Sequence, residues 1–275
     1  MTALAITRHH TRKNNLSKTV MTSMRCILSI LLISSLMTSL PLLAQAELSA
    51  EEIIRKADEK VRGKTNRSEM RMEIIRPTWK RDLAFKAWGR GLDYSMTYIT
   101  APAREKGQVF MKRKTEMWNW MPTIGRMIKI PASMMSQGWM GSDYTNDDIL
   151  KESSMVVDYE HSLVSQEKVQ GFDCYKIQMI PKEGAAVIWS KVYKWITTDE
   201  FIQIRSEYFD EDQELVKSDF AYDFKVMDGR LIPTRIEIVP ADEEGKKTVL
   251  YITDIKFDID LPESYFSQQN MKRIR

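Results

Sequence analysis

Apolar positions follow two periods in succession along this chain. Ile53, Ile54, Ala57 and Val61 recur at helical spacing, behind Ser49-Ala50-Glu51-Glu52 and ahead of Gly63. A serine followed three residues later by glutamate forms a capping box, and a glycine stops the pattern. A helix with one apolar face is therefore predicted over 50–62. Beyond it the period becomes two, the spacing of a strand with one buried face. Met70, Met72 and Ile74 alternate with Arg71 and Glu73 until Pro77. Alternating runs then cover 81–89, with Gly89-Arg90-Gly91 as a turn, and 93–99, ended by Ala101-Pro102. Residues 107–113 and 115–121 read as a hairpin around Lys114. Further runs cover 159–168, 172–180, 188–197, 201–209, 215–227, 231–239 and 248–257. Gly171, Asp210 to Asp212 and Asp242 to Lys247 separate several of these. Asp228-Gly229 between two alternating runs is the strongest hairpin signal in the chain.

About a dozen strands joined by short turns, with no alternation of strand and helix, argue against a parallel sheet. One antiparallel sheet of that size has to curl or close on itself. The fold class is thus mainly β, of α+β type. The exception to the pattern is the stretch from Pro122 to Val156. The 50–62 helix and the 122–151 segment are expected to lie together on the concave side. No linker divides residues 47–275, which read as one domain.

Composition changes the picture mainly at the N-terminus. Residues 1–46 carry Arg8, Arg12, Lys13, Lys18 and Arg25 and no acid. An apolar run from Ile27 to Leu40 follows, then Pro41 and Ala44-Gln45-Ala46. A basic region, a short apolar run and an A-x-A site make a secretory signal peptide, with cleavage expected after Ala46 and Met21 and Met24 as alternative start sites. The run falls short of the ~20 residues that span a bilayer. The whole chain has a formal charge of +3. Without its first 46 residues it holds 36 basic and 38 acidic side chains, a formal charge of −2. That balance argues against nucleic-acid binding.

The mature chain retains Cys174 and His161 as its lone cysteine and histidine. No intramolecular disulfide can form, and a His-rich zinc site cannot be assembled. His161 in Asp158-Tyr159-Glu160-His161-Ser162 reads as a polar strand edge rather than a catalytic base. Cys174 reads as a structural thiol, partly exposed because Phe172 and Lys176 share its strand face. Nucleophile-elbow, phosphate-loop and dinucleotide motifs are missing from the sequence. The expectation is a protein that is not an enzyme and takes no cofactor or metal.

Residues 111–140 hold seven of the 18 Met and three of the seven Trp. Methionine suits deformable apolar surfaces, and Gly125, Pro131 and Gly138 break the second half of the stretch as a mobile cover requires. The expected cavity and lid residues are Trp118, Trp120, Met127, Ile128, Ile130, Met134, Met135, Trp139 and Met140, with Trp88, Met96 and Tyr98 from the strands. Gly141-Ser142-Asp143-Tyr144-Thr145-Asn146-Asp147-Asp148 follows. The spacing of Asp143, Asp147 and Asp148 does not fit a calcium loop. Thr145 capping a short helix, with Asp148 three residues on, explains them better. Gly141, Ser142, Asp143, Asp147 and Asp148 therefore read as structural.

Trp118-Asn119-Trp120-Met121-Pro122, then Arg126 to Ile130, then Met140-Gly141-Ser142-Asp143-Tyr144 with Asp147-Asp148, resembles the outer-membrane lipoprotein-sorting family related to LolA. Leu261-Pro262-Glu263-Ser264-Tyr265-Phe266 and Asn270-Met271-Lys272-Arg273 agree with it. The match is closer to the LolA-like branch linked to RND-type exporters than to LolA itself. The resemblance implies an incomplete, strongly curved antiparallel β-barrel, with helices as a lid over an apolar cavity that holds acyl chains. It implies a periplasmic carrier of lipoproteins or lipids. Its partners would be those acyl chains, an inner-membrane RND/MMPL-type transporter and an outer-membrane acceptor. Two other readings stand beside it: an accessory subunit of an envelope exporter, and an envelope lipid hydrolase working through carboxylates.

Overall fold

A computed structural model describes residues 48–151 and 155–275. The expected signal peptide, residues 1–46, lies outside the described residues. Helix α1 spans Ala50–Arg62. Its capping box is formed as the sequence implies, with the Ser49 side chain accepting from the Glu52 amide and Glu52 accepting from the Ser49 amide. Gly63 ends it at φ +64°, a conformation glycine reaches at no steric cost.

Thirteen strands follow: β1 Thr65–Arg76, β2 Trp79–Arg90, β3 Tyr94–Ala101, β4 Val109–Arg113, β5 Glu116–Met121, β6 Arg126–Lys129, β7 Tyr159–Val169, β8 Phe172–Pro181, β9 Lys191–Thr197, β10 Gln203–Phe209, β11 Leu215–Met227, β12 Arg230–Pro240 and β13 Lys247–Phe257. All belong to one sheet in the order β6-β5-β4-β3-β2-β1-β13-β12-β11-β10-β9-β8-β7. Two meanders, β1 to β6 and β7 to β13, are thus joined edge to edge by the antiparallel pairing of β1 with β13. The sheet is curved and does not close, leaving β6 and β7 as its edges. The connection between the meanders holds short 3₁₀ turns at Ala132–Met134 and Trp139–Gly141 and helix α2, Asn146–Lys151.

The expected alternation is present, with two differences. Strand β1 begins at Thr65, before the apolar pattern does, because Asn66 and Ser68 are polar on the face where Met70, Met72 and Ile74 are apolar. Arg126–Lys129, expected within the irregular cover, instead pairs with β5 through a turn at Gly125, φ +63°.

The two faces differ in chemistry. One carries Met70, Met72 and Ile74 of β1, Leu83 and Phe85 of β2, and Ile252 and Leu250 of β13. A bulge opposite Glu69 and Met70 puts Ile255 and Ile252, three residues apart, on that same face. The other face carries Arg71, Glu73, Arg235 and Glu237 in ion pairs, with the Arg71 and Arg235 guanidinium groups over the rings of Tyr251 and Tyr222 at 4.3 and 4.2 Å. Helix α1 buries Ile53, Ile54 and Ala57 on the apolar face against Ile177, Met179, Val192 and Ile196. The segment after β6 covers the same face over β1 to β4. The C-terminal residues Leu261, Phe266, Met271 and Ile274 cover the opposite face of β3 and β4.

Cys174 is fully buried rather than partly exposed, packed with Trp195, Ile202 and Ile204. The β9–β10 connection folds over its strand end, and burial raises its thiol pKa to about 11.

Candidate functional site

Between α1, the central strands and the inter-meander connection lies a cavity of about 260 Å³. Ile54, Ala57 and Val61 of α1 form one wall. Met70 of β1, Ile196 of β9, Ala221 of β11, Ile236 of β12, and Leu250, Ile252 and Ile255 of β13 form the opposite one. Tyr144, Met155 and Val156 contribute from the connection. The residues facing the cavity along β1 and β13 are every second one, apart from the bulge, as strand geometry requires.

A few polar groups interrupt this lining. Lys194 of β9 points to the same face as Val192 and Ile196, and its ammonium donates to Gln203 Oε1 at 2.5 Å. Gln203 Nε2 donates to Asp219 Oδ1 at 3.4 Å, and the Tyr208 hydroxyl donates to Asp219 Oδ2 at 2.9 Å. Asp58 of α1 is paired with Arg62 one turn on. Burial still raises the Asp58 pKa above the usual carboxylate value, against the pull of that guanidinium and of Lys194.

Asp58 and Val156 also line a larger, open cleft of about 790 Å³ at the C-terminal end of α1. Its walls are charged: Arg55, Glu59, Lys60, Lys64, Glu200, Arg230 and Asp258. Most are already paired, Lys60 with Glu200 and Arg230 with Asp258 among them. The apolar cavity and the polar cleft thus have Asp58 and Val156 as a common border.

The connection is fastened by two carboxylates, Asp148, which is buried, and Asp143, which is mostly so. Arg76 of β1 grips Asp143 in a fork, at 2.9 and 3.1 Å, and Thr248 of β13 donates its hydroxyl to Asp143 at 2.6 Å. Asp148 pairs with Lys217 of β11, both almost fully buried, and accepts the Trp189 indole N–H at 2.9 Å. The Lys217 ammonium also lies 4.9 Å from the ring centres of Trp189 and Tyr208. Thr145 and Asp148 form the reciprocal cap, at 2.7 and 3.0 Å. Among the described residues no cluster of His, Cys, Asp and Glu side chains could hold a metal ion.

No curated protein matches the chain. A family model described as "Uncharacterized protein" matches residues 91–273, more than half of the sequence. The chain belongs to that family. Its fold is that of the LolA superfamily. A LolA superfamily protein from Nitrosomonas europaea superposes with a TM-score of 0.71 at 24% identity, over 81% of this chain and 99% of that one. An outer membrane lipoprotein-sorting protein domain from Vibrio parahaemolyticus gives 0.72 at 19% identity, over 82% and 98%. A DUF1329 family protein from Desulfovibrio piger gives 0.74 at 24%, over 81% and 97%.

Within this LolA-type fold, the residues expected from sequence to line the cavity lie elsewhere. Trp88, Met96, Tyr98, Trp118, Trp120 and Met127 share the opposite face and pack with Leu261, Phe266 and Met271. Register decides this: Met70 pairs with Phe85, so Trp88, three residues on, points to the other side, and Met96, Met111 and Trp118 follow it across the sheet. Trp139 is a core residue at 2% exposure, edge-on to Phe85 and Phe110 at 5.7 and 5.3 Å. Ile130, Met135 and Met140 pack around that cluster, while Ile128 and Met134 are exposed. None of the twelve lines the cavity. Three of the lining residues, Met70, Leu250 and Ile252, lie in runs whose alternation is visible in the sequence. Alternation marks a face without saying which way it points.

Proposed function

We propose that this chain is a non-enzymatic periplasmic carrier. It holds acyl chains of lipoproteins or lipids in the cavity beneath α1 and passes them towards the outer membrane. The observation that carries the reading is an apolar pocket roofed by a helix on an open, curved sheet of LolA type. The name of the Vibrio parahaemolyticus domain supplies the cargo class. Export follows from the 1–46 segment, read as a cleaved signal, with 47–275 as the carrier domain. A triacylated anchor exposes roughly 40 methylenes, and at ~0.8 kcal/mol each their transfer through water costs about 30 kcal/mol. A protein that covers them removes most of that barrier. The cavity lies below the ~300–1,000 Å³ of most ligand pockets, so a full anchor enters only if α1 and the connection move apart. The polar cleft bordering the cavity at Asp58 and Val156 would then take the head of the cargo.

Native mass spectrometry and organic extraction of protein purified from the periplasm test the proposal. Co-purified acylated molecules support it. A stoichiometric complex with an inner-membrane transporter and no lipid favours the accessory-subunit reading. Turnover of an envelope lipid, lost on changing a single carboxylate, favours a hydrolase.

A further inference from the structure

Lys194 is the least expected residue of the cavity. It lies on β9 between Val192 and Ile196, both fully buried, and is itself 6% exposed. An ammonium in apolar surroundings requires compensation by hydrogen bonds or opposite charge. Its hydrogen bond goes to the neutral amide of Gln203, and it joins none of the ion pairs among the described residues. The carboxylates facing the same cavity are Asp58 and Asp219. Asp58 is taken by Arg62. Asp219 is taken by the Tyr208 hydroxyl and Gln203. A lysine ammonium has three N–H donors. One is used, so two remain on the wall of a pocket that is otherwise mostly apolar.

We infer that Lys194 is the polar anchor of the cavity, donating to the carbonyl oxygen of an acyl group whose hydrocarbon chain lies along Ile196, Ile252 and Ile255. The inference rests on the carrier reading and narrows it. The ligand is a molecule with an acyl carbonyl, either a free carboxylate or an acyl ester, and not a hydrocarbon alone. Lys194 acts here in binding and orientation; no bond is made or broken. Gln203, itself bonded to Asp219, holds the ammonium in place, so the donor is fixed before the ligand arrives.

Displacement of a fluorescent apolar probe by dodecanoate, methyl dodecanoate and dodecane tests this on the mature chain. The wild-type protein is expected to bind the two carbonyl compounds about tenfold tighter than dodecane or more, the worth of a hydrogen bond from a charged donor. Preference for dodecanoate alone assigns a fatty acid; preference for both assigns acyl esters as well. Lys194→Met should lower both to the affinity of dodecane and leave dodecane itself unchanged. Lys194→Gln, which keeps a donor without the charge, should retain the preference for the ester and lose any extra affinity for the carboxylate. It carries the test alone if Lys194→Met yields no soluble protein. Equal affinity for all three in the wild-type protein, or a preference that survives Lys194→Met, overturns the inference while leaving the carrier reading intact. Failure of the wild-type protein to bind any of them, dodecane included, overturns both.

Discussion

Asp148 ties the connection to β11 and to Trp189, and replacing it by Ala tests how that segment is held. The carboxylate has three partners: Lys217, the Trp189 indole and the Thr145 amide. Lys217 and Asp148 side chains are 6% and 7% exposed, so removing the acid strands a cation in the interior. Breaking a buried pair from one side costs about 3–5 kcal/mol. The lost cap is worth about 0.5–2 kcal/mol, and the orphaned indole N–H about 1–3 kcal/mol. These overlap, so a total near 4–6 kcal/mol is expected for Asp148→Ala. For a domain of this size that is about 8–24 °C in Tm. Urea unfolding followed by tryptophan fluorescence measures the free energy, and limited trypsin digestion of the connection reports local release. Lys217→Met added to Asp148→Ala removes the stranded charge. The double variant should then be at least 1 kcal/mol more stable than Asp148→Ala alone, a coupling typical of contacting residues. A loss below 1 kcal/mol for Asp148→Ala, or a double variant whose losses simply add, would refute the claim that this buried pair fastens the connection.

Other outcomes follow from the same geometry. Trp139→Ala should cost about 3–5 kcal/mol in urea unfolding, as for a buried tryptophan, while Met134→Ser at a site 37% exposed should stay within about 0.5 kcal/mol; the reverse order would restore Met134 as a buried element. Ala221→Phe should fill the cavity and weaken binding of an apolar fluorescent probe at least tenfold while the far-ultraviolet circular dichroism is retained; undiminished binding places the ligand elsewhere. His161 Nε2 donates to the Met155 carbonyl at 2.8 Å, and burial lowers its pKa below 6.5. The unfolded chain then takes up the proton first, so stability should fall as pH drops below 6.5, and His161→Gln should flatten that slope without effect above it. Cys174, buried and with its thiol pKa near 11, should resist Ellman's reagent at pH 8 until the protein is denatured; fast labelling of native protein would contradict its burial.

The sequence determined the elements whose signals are local. Ser49 and Glu52 set the start of α1 and Gly63 its end, because a cap and a left-handed turn depend on residues a few positions apart. Thr145 and Asp148 likewise announced their own cap. Alternation placed twelve of the thirteen strands, and the four-residue β6 escaped because so short a run carries no period. The family pattern in the tryptophan-rich segment pointed to a LolA-type sheet. Only the tertiary structure decided which side of that sheet is the cavity. Trp88 and Met70 obey the same period of two, and their opposite fates turn on pairing register and on a bulge opposite Glu69 and Met70. The sequence also could not show that Leu261 to Ile274 return to cover Trp118 and Trp120, or that Lys217 meets Asp148. Those contacts join residues more than sixty positions apart, and a long-range contact leaves no trace in the spacing of either partner.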